Sequence, residues 1–352
     1  MMRNNFDALR LIAALTVLWG HQYLLLGLVE PRIANVRSPM HLAVLVFFSM
    51  SGYLVASSWQ SDPHAGRFML RRLLRIWPGW ATCVVILGAG ALIAARDAMD
   101  TLAAQFWFTN LFFYGFDWEF FKSTHRHALN GSLWTIPFEV QCYVLLAVVG
   151  LAARRLIKWV AVGAFVALLS VFVALGGERA IAEGLRNWGT FPHLPYFGAF
   201  FVAGSLLFYF AALQRYLVAF LVLGACAYAS GQSELATLLL IPIGSVMIGV
   251  RSWPVLRSAS RFGDLSYGIY LWAWPMQQLV IVAMGKTAPF PILLACSLAS
   301  TGACAWLSWH LIERPALRLK PAKSMAWLPN RRHSFVGGPI SSPGSLDSSA
   351  GT

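Results

Sequence analysis

The sequence predicts an all-α, polytopic membrane protein with about ten transmembrane helices, and three observations carry that prediction. Of the 352 residues, 58% are hydrophobic and only 12% are charged. The mean hydropathy is +0.63, which is unlike the composition of a water-soluble domain of this size. Apolar runs long enough to cross a hydrocarbon layer of about 30 Å recur along the whole chain.

Ten of these runs are interpreted as helices that cross the membrane. They lie at 7–27, 41–58, 76–95, 133–152, 159–176, 194–212, 217–230, 235–250, 266–284 and 289–311. A further apolar piece at 104–115 is too short to span and is interpreted as interfacial or re-entrant. The first run carries charged residues and lacks a small-residue cleavage site. We therefore expect a retained helix there rather than a signal peptide.

The distribution of charge predicts the orientation. With the N-terminus in the cytoplasm, ten spans return the C-terminus to the cytoplasm, and the inner segments then carry 19 of the 27 basic residues. This is the positive-inside pattern. The net charge of +13 is explained by a basic inner face beside anionic lipid. We therefore expect the lipid bilayer as a partner and no nucleic acid.

The chain is predicted to hold one membrane domain, residues 1–318, followed by a tail, residues 319–352. The tail is basic and rich in Ser, Pro and Gly, a composition typical of disorder. The five cysteines are interpreted as small buried hydrophobes. No metal site is expected, because His125 and His127 alternate along the chain and no third ligand lies nearby.

The first apolar run contains the most informative spacing in the sequence. Arg10 and His21 are eleven residues apart, which is just over three helical turns, so both side chains face the same way. They are separated by about 16 Å along the helix axis. Asp7 shares that face. Ionisable groups on one stripe of a membrane helix are costly unless they meet partners or water, so this stripe predicts a functional site.

Six short motifs follow one another along the chain in a recognisable order. They are Asp7-Ala-Leu-Arg10 with His21, Phe48-Ser-Met-Ser-Gly52, Arg72-Leu-Leu-Arg75-Ile-Trp-Pro78, Ser132-Leu-Trp-Thr-Ile-Pro-Phe-Glu139, Leu265-Ser-Tyr-Gly-Ile-Tyr-Leu-Trp and Ile312-Glu-Arg-Pro315. In these motifs and their order the sequence resembles the acyltransferase-3 family of membrane acyltransferases, over roughly residues 4–318.

The resemblance implies a reaction and a location. An acyl group, usually acetyl, would pass from a cytoplasmic acyl-CoA to a hydroxyl of an envelope or exported glycan, in the bacterial cytoplasmic (inner) membrane. Acyl-CoA is then a donor substrate, and no tightly bound cofactor is expected. One departure is clear: members of the family often carry a histidine where this chain has Ala273. Any role that a second histidine has in the family is therefore in doubt for this chain. For the same reason, a protein without catalytic activity stays an open alternative.

Arg72 and Arg75 are the predicted donor-binding residues, together with Arg10. They lie one turn apart at the inner mouth of the third span, where a cytoplasmic nucleotide would arrive. Guanidinium groups bind phosphate oxygens in a bidentate fashion, and CoA carries a pyrophosphate and a 3′-phosphate. The alternative is an ordinary cluster of inner-face cations in contact with lipid.

His21 and Glu139 are the predicted catalytic residues. The unperturbed pKa of histidine, near 6.5, suits removal of a hydroxyl proton at neutral pH. A transient acyl-histidine and a hydrogen-bonded histidine between helices stay open as alternatives. Glu139 is the one acidic residue in the stretch 133–176. It would orient His21, hold the acceptor hydroxyl or pair with an arginine, and a purely structural ion pair is the alternative.

Five further residues are assigned supporting roles. Asp7 would pair with Arg10, Tyr53 would line an acyl tunnel, and Tyr267 would either pack or contact substrate. Ser132, like Asn130, lies just before the fourth span and is a capping candidate first and a site residue second. Trp134, within the fourth motif, completes the set.

Other functions remain open at this point. Polar groups at membrane depth are also typical of a transporter or flippase, although no inverted repeat is visible. A second enzyme interpretation makes the acceptor a small molecule or a lipid. The loop at 116–130 mixes aromatic and polar residues and is either a sugar-binding surface or part of the aromatic belt at the membrane surface.

Overall fold

The computed structural model describes residues 4–33, 37–94, 126, 128–175, 177–184, 193–253 and 264–321. Within these ranges the regular structure is helical, apart from one antiparallel bridge between Ile33 and Arg37. The predicted interfacial piece at 104–115, His125, His127 and most of the 116–130 loop lie outside the described residues, as does the tail beyond residue 321.

The first half of the chain forms five long helices. They are α1 (Phe6–Leu26), α2 (Pro39–Ser61), α3 (Ala65–Ala94), α4 (Ile136–Ala152) and α5 (Ile157–Leu175). A 3-10 turn, Leu133–Thr135, leads into α4.

The second half alternates short and long helices. They are α6 (Glu178–Gly184), α7 (Leu194–Tyr209), α8 (Leu217–Ala229), α9 (Ser233–Val250), α10 (Ser266–Met284), α11 (Phe290–Ser308) and α12 (Arg314–Arg318). A 3-10 segment, Ala211–Tyr216, precedes α8, and a π-helical turn, Trp309–Glu313, joins α11 to α12.

These helices confirm the all-α, polytopic fold class. Each of the ten predicted spans coincides with one of them, and eight helical segments in the described ranges are long and apolar enough to cross a membrane. The two exceptions have plain causes: α7 has only 16 residues, and α10 carries two Trp, two Tyr and two Gln. The chain is a multi-pass membrane protein, and the count of ten crossings stays a prediction.

The third helix differs most from its predicted span. It begins at Ala65, eleven residues before the predicted boundary at 76, and continues past Pro78. The arginine-rich stretch is therefore part of the helix, because its arginines alternate with Phe68, Leu73 and Leu74 at helical spacing. This extension carries Arg72 and Arg75 on the wall of the bundle instead of in a loop before it.

Close helix packing at glycine joins α2 to α7. A Cβ atom at Gly52 would lie 1.9 Å from the carbonyl oxygen of Phe201, and one at Gly204 would lie 2.0 Å from that of Ser49. Ser205 also donates a hydrogen bond of 3.1 Å to the carbonyl oxygen of Gly52. Small residues allow such backbone approach in membranes, where van der Waals packing drives association.

The 3-10 turn before α4 is attached to α10. The Asn130 side chain donates to the carbonyl oxygen of Leu271 at 2.9 Å and accepts from the backbone N–H of Ser132 at 3.1 Å. The hydroxyls of Thr135 and Tyr270 are 2.6 Å apart. These bonds position the start of α4, and with it Glu139, against α10.

Candidate active site

A polar cavity of about 630 Å³ lies between α1, α2, α3, α4 and α10, closed on one side by the chain after α11. It brings together five residues that the sequence predicts for the site. These are Arg10, Arg72, Arg75, Glu139 and Tyr267. The lining residues come from positions as far apart in sequence as 10 and 320, so the cavity forms only when the chain folds.

The arginines of α3 separate into two groups with different partners. Arg67 and Arg71 both pair with the buried carboxylate of Asp62, at 2.6 and 2.7 Å. The hydrogen bond from Arg67, with that from Arg71, holds the pKa of Asp62 well below its usual range, although burial alone would raise it. These two arginines join the start of α3 to the end of α2.

Arg10 and Arg75 share a second carboxylate, that of Asp264. Arg75 forms an ion pair with Asp264, and the guanidinium of Arg10 lies 3.7 Å from the same oxygen. Burial alone would raise the pKa of Asp264, but Arg75 and Arg10 outweigh it and the pKa is lowered. Arg10 also lies 3.7 Å from Asp7, in the pairing that the sequence predicts.

Arg72 is different, because no carboxylate of the described residues lies within ion-pair distance of it. Its guanidinium donates to Ser58 Oγ at 3.2 Å, and its Nε has no hydrogen-bond partner there. The rings of Phe68 and Tyr143 each lie 5.9 Å from its Cζ. A largely desolvated cation without a counter-ion is costly, so this geometry suits an anionic ligand.

Lys320 joins Arg10, Arg71, Arg72 and Arg75 as the fifth cation of the cavity lining. Partial burial and the neighbouring Arg75 and Arg72 lower its pKa to about 8. The sequence analysis assigned this lysine to the tail. The described chain continues through residue 321, and the side chain of Lys320 lies in the lining of the cavity.

A carboxylate with two hydroxyl partners lies close to Arg72, because one of the two partners, Tyr143, has its ring 5.9 Å from the Arg72 Cζ. Ser51 Oγ donates to Glu139 Oε1 at 2.8 Å, and the Tyr143 hydroxyl donates to the same oxygen. The two hydroxyls are 3.1 Å apart. Of the roles proposed for Glu139, the structure shows hydrogen bonding to hydroxyl groups, and no contact with His21.

His21 lies outside the cavity lining, in a layer of its own. Its ring is 6% exposed and packs edge-on against Trp274, with centroids 4.9 Å apart. Its Nδ1 is buried without a hydrogen-bond partner among the described residues. Trp274 follows the cavity-lining Tyr270 by one turn of α10, so this layer lies next to the Tyr270 end of the cavity.

Ala273 is fully buried in a small apolar cluster. The cluster contains Ala14, Leu18, Ile269 and Ala305. The position at which related proteins often carry histidine is therefore filled here by a methyl group among alkyl side chains.

The supporting residues occupy three different environments. Tyr267 lines the cavity and donates to the carbonyl oxygen of Ile76 at 2.7 Å. Tyr53 lies outside the lining and stacks on Phe6, with ring centroids 5.6 Å apart. Ser132 is buried, and its side chain makes no capping hydrogen bond. Of the two predicted capping residues, Ser132 makes no capping bond, and Asn130 accepts a hydrogen bond from the Ser132 N–H just before the 3-10 turn.

Trp134 lies on the 3-10 turn and is 40% exposed. Its ring contacts those of Phe138, His193 and Phe197. Thr135, the next residue, lines the cavity.

Sequence reasoning missed four residues of the cavity region: Ser51, Tyr143, Asp264 and Lys320. Asp264 offered a usable signal, since it is an acidic residue in an inner segment rich in arginine and directly precedes the fifth motif. Tyr143 is one helical turn after Glu139 and so shares its face. Lys320 gave no local signal, because nothing near it in sequence distinguishes it from the tail.

The family model described as an acyltransferase domain, acyltransferase-3, matches residues 3–309. The chain belongs to the acyltransferase-3 family. It is therefore a membrane acyltransferase, and the expectation drawn from the six motifs is confirmed. Membership also favours the enzyme over the transporter that composition left open.

Curated relatives agree with that assignment. An O-acetyl transferase of Shigella phage Sf6 is 29% identical over 341 residues, covering 92% of this chain and 98% of the relative. Nodulation protein 10 of Rhizobium leguminosarum bv. viciae is 27% identical, covering 90% and 94%. The peptidoglycan O-acetyltransferase OatA of Listeria monocytogenes is 24% identical over 78% of this chain and 51% of its own length. No solved structure gives a significant match.

Proposed function

We propose that this acyltransferase moves an acyl group, with acetyl as the expected group, from cytoplasmic acyl-CoA to a hydroxyl of an envelope or exported glycan. We place it in the bacterial cytoplasmic membrane. The observation that carries the donor assignment is Arg72, a cation without a carboxylate partner in the described chain, facing a cavity that it shares with Arg10, Arg75 and Lys320.

The chemistry of the donor fits this cavity. The pyrophosphate and 3′-phosphate of CoA need several cations, and arginine provides paired donors for phosphate oxygens. Arg75 and Arg10 are held in place by Asp264, which leaves Arg72 and Lys320 with the greatest unbalanced positive charge. The orientation predicted from the charge distribution would put these residues at the cytoplasmic end of the bundle, where acyl-CoA is available.

His21 is proposed as the group that handles the proton or the acyl group. As a general base, it accepts the proton of the acceptor hydroxyl while that oxygen attacks the thioester carbonyl carbon. The carbon–sulfur bond then breaks, and the CoA thiolate takes the proton, so that an ester and free CoA leave. As an acyl carrier, its imidazole would displace the thiolate first and then pass the acyl group to the hydroxyl.

Glu139 is proposed to hold a hydroxyl group by the bonding that it already shows. It accepts from Ser51 and Tyr143, so its carboxylate is part of a hydroxyl-binding cluster on the cavity wall. An acceptor hydroxyl or the thioester end of the donor would contact this cluster after entering the cavity.

The names of two relatives support the acceptor class. One is an O-acetyl transferase and another a peptidoglycan O-acetyltransferase, so acetyl and a glycan hydroxyl are the groups we assign to this chain. A lipid or small-molecule acceptor is the alternative, and the fraction in which transferred label appears distinguishes it from a glycan acceptor.

Labelled acetyl-CoA given to membranes of a deletion strain carrying the parent gene tests the proposal. We expect base-labile label in the envelope glycan fraction, and none when the gene carries His21→Ala. Label confined to the lipid fraction would support the lipid acceptor instead. Unlabelled glycans together with undiminished acetyl-CoA, from membranes that contain the folded protein, would contradict the proposed function.

A further inference from the structure

Two opposite charges, Arg72 and Glu139, line the cavity without forming an ion pair with each other. The guanidinium of Arg72 donates to Ser58, and within the described residues Glu139 accepts hydrogen bonds from hydroxyl groups. The two charges attract each other, and the attraction is strong where burial reduces the screening by water. Because an arginine side chain has many rotamers, a direct ion pair would be expected. A specific contact must therefore keep the two charges apart.

Tyr143 makes that contact, because its two ends meet the two charges. Its hydroxyl donates to Glu139, and its ring lies 5.9 Å from Cζ of Arg72, which is a cation–π distance. The tyrosine is buried, so its side chain fills the space beside both groups. A guanidinium at the ring and a carboxylate at the phenolic hydroxyl are both favourable contacts, and neither requires the charges to meet.

The neighbouring helices hold Tyr143 in this position. Ser51 Oγ on α2 lies 3.1 Å from its hydroxyl and donates to the same carboxylate oxygen, Oε1 of Glu139, at 2.8 Å. Phe201 on α7 packs against the Tyr143 ring, with centroids 6.3 Å apart. The backbone of Phe201 is itself in close contact with Gly52, the residue after Ser51. The close contact of α2 with α7 therefore fixes two neighbours of Tyr143 together.

One face of α2 supplies a hydroxyl to each of the two charges. Ser58 accepts from Arg72, Ser51 donates to Glu139, and these serines are seven residues apart, about two helical turns. Their hydroxyls are therefore separated by roughly 10 Å along the helix axis. On its other side Arg72 contacts the Phe68 ring, 5.9 Å from Cζ. Uncharged contacts thus hold each charge in place, away from the other.

We propose that Tyr143 is a positioning residue that keeps Arg72 free to bind a phosphate and Glu139 free to bind a hydroxyl. This role rests on the proposed function, in which the phosphates of acyl-CoA bind the cations of the cavity. Without the Tyr143 side chain, Arg72 and Glu139 would form an ion pair. That pair would withdraw the guanidinium from CoA and the carboxylate from the acceptor, because each charge would then be compensated.

Titration calorimetry with acetyl-CoA and with inorganic pyrophosphate, on the purified protein in detergent, tests this role. Tyr143→Ala should weaken binding of both ligands about tenfold, the worth of one hydrogen bond to a charged group. Adding Glu139→Gln to that variant should restore the affinity to within about twofold of that of Glu139→Gln alone, because no carboxylate remains to pair with Arg72. A double variant that binds as weakly as Tyr143→Ala would overturn the proposal.

Tyr143→Phe separates the hydroxyl from the ring and decides the matter if Tyr143→Ala does not fold. The ring remains at Arg72, so both ligands should bind as they do to the parent. The transfer rate should fall about tenfold, because Glu139 loses a hydrogen bond. Tyr209→Phe is the matched control, since the Tyr209 hydroxyl is buried without a partner among the described residues and lies outside the cavity lining. Parental transfer by Tyr143→Phe, or a loss of ligand affinity in it, would overturn the proposal.

The two ligands separate this proposal from the proposed function. If pyrophosphate binding follows the expected pattern and acetyl-CoA does not bind, Tyr143 has the proposed role and acyl-CoA as the donor is contradicted. If acetyl-CoA binds and is used for transfer, but Tyr143→Ala leaves its affinity unchanged, the proposed function stands and the role of Tyr143 is wrong. A parent protein that binds neither ligand would contradict both.

Discussion

His21 on α1 packs edge-on against Trp274 on α10, with ring centroids 4.9 Å apart, and the Trp274 indole N–H donates to the carbonyl oxygen of Ala128 at 3.0 Å. The first helix, the tenth helix and the segment before α4 therefore meet at one histidine. Trp274 orients the ring by packing and cannot supply a charge to it. In the described residues, the histidine and the arginine cavity are separate layers of one bundle.

The first prediction is that His21 serves acyl transfer and the arginine cavity serves donor binding. His21→Ala should lower the acyl-transfer rate by roughly 10²–10⁴, the usual scale for a lost acid–base group. Acyl-CoA affinity should stay near that of the parent, because His21 does not line the arginine cavity. Steady-state transfer and donor binding, measured on the same purified variant, check both parts.

His310→Ala is the control for that variant, since His310 is half-buried, does not contact His21, and bonds to the preceding turn through the carbonyl oxygen of Trp306. Near-parental transfer by a folded His21→Ala protein would remove His21 from the mechanism. If His21→Ala also lowered the affinity for acyl-CoA, His21 and the arginine cavity would have to be parts of one binding site.

The second prediction concerns Arg72. Arg72→Gln should weaken acyl-CoA binding roughly tenfold to a hundredfold, the worth of lost charge-assisted hydrogen bonds. A donor lacking the 3′-phosphate should be affected less. Arg67→Gln on the same helix is the matched control, because Arg67 pairs with Asp62 and is absent from the cavity lining. Equal donor affinity in the Arg72→Gln protein and the parent would assign Arg72 to lipid contact.

Arg75→Gln should differ from Arg72→Gln in its effect on folding. Removing Arg75 leaves the largely buried carboxylate of Asp264 with the hydroxyl of Ser266 and, among the described cations within ion-pair distance, only Arg10 at 3.7 Å, so the variant loses thermal stability as well as donor affinity. Unfolding temperatures of the two variants, compared in one detergent, measure that difference. A stability equal to that of the parent would mean that the Arg75–Asp264 pair contributes little.

The third prediction is a pH dependence at Lys320. This lysine is charged below its pKa of about 8 and neutral above it, so donor affinity should fall as the pH rises through that value. The expected change is about threefold, because the group is partly exposed and screened. Lys320→Arg should remain charged and show no such fall. Lys320→Gln should bind weakly at every pH.

Lys158→Gln controls for the loss of an inner-face lysine, since Lys158 contacts the Trp159 ring and does not line the cavity. Donor affinity measured by titration from neutral to alkaline pH decides the outcome. An identical pH profile in the parent and in Lys320→Arg would place the titrating group elsewhere.

The fourth prediction concerns the packing of α2 against α7. Gly204→Ala should destabilise the protein by about 1–3 kcal/mol, the usual cost of overpacking, because the new methyl group would meet the carbonyl oxygen of Ser49. Gly198→Ala on the same helix has open space and should be tolerated. Thermal unfolding in detergent compares the two. Equal unfolding temperatures would mean that the α2–α7 contact adjusts freely.

The fifth prediction concerns the two sides of the membrane. Acyl-CoA is highly charged and stays in the cytoplasm, while His21 is eleven residues further along α1 than Arg10. We expect the acyl group to cross through the bundle to an acceptor on the outer side. Right-side-out vesicles loaded with labelled acetyl-CoA should then label an impermeant acceptor added outside. Labelling only when donor and acceptor share the inner compartment would exclude this route and leave the acyltransferase itself intact.

The sequence by itself determined the properties that follow from order along the chain. Hydropathy located the helices and the motifs from Asp7 to Pro315 indicated the family, while the orientation drawn from the charge distribution stays a prediction. Helical spacing also placed Asp7 beside Arg10, since that pairing depends only on residues of one turn. These features depend on residues that are close together in the sequence, so they can be predicted without the folded structure.

The tertiary structure decided which charges compensate one another. Four arginines of α3 look alike in sequence, yet Asp62 neutralises two of them, Asp264 holds a third, and Arg72 is left facing the cavity. Lys320 joins that cavity from the far end of the chain. Electrostatic pairing depends on distances of a few ångströms between residues that are hundreds of positions apart, and only the packing of the helices sets those distances.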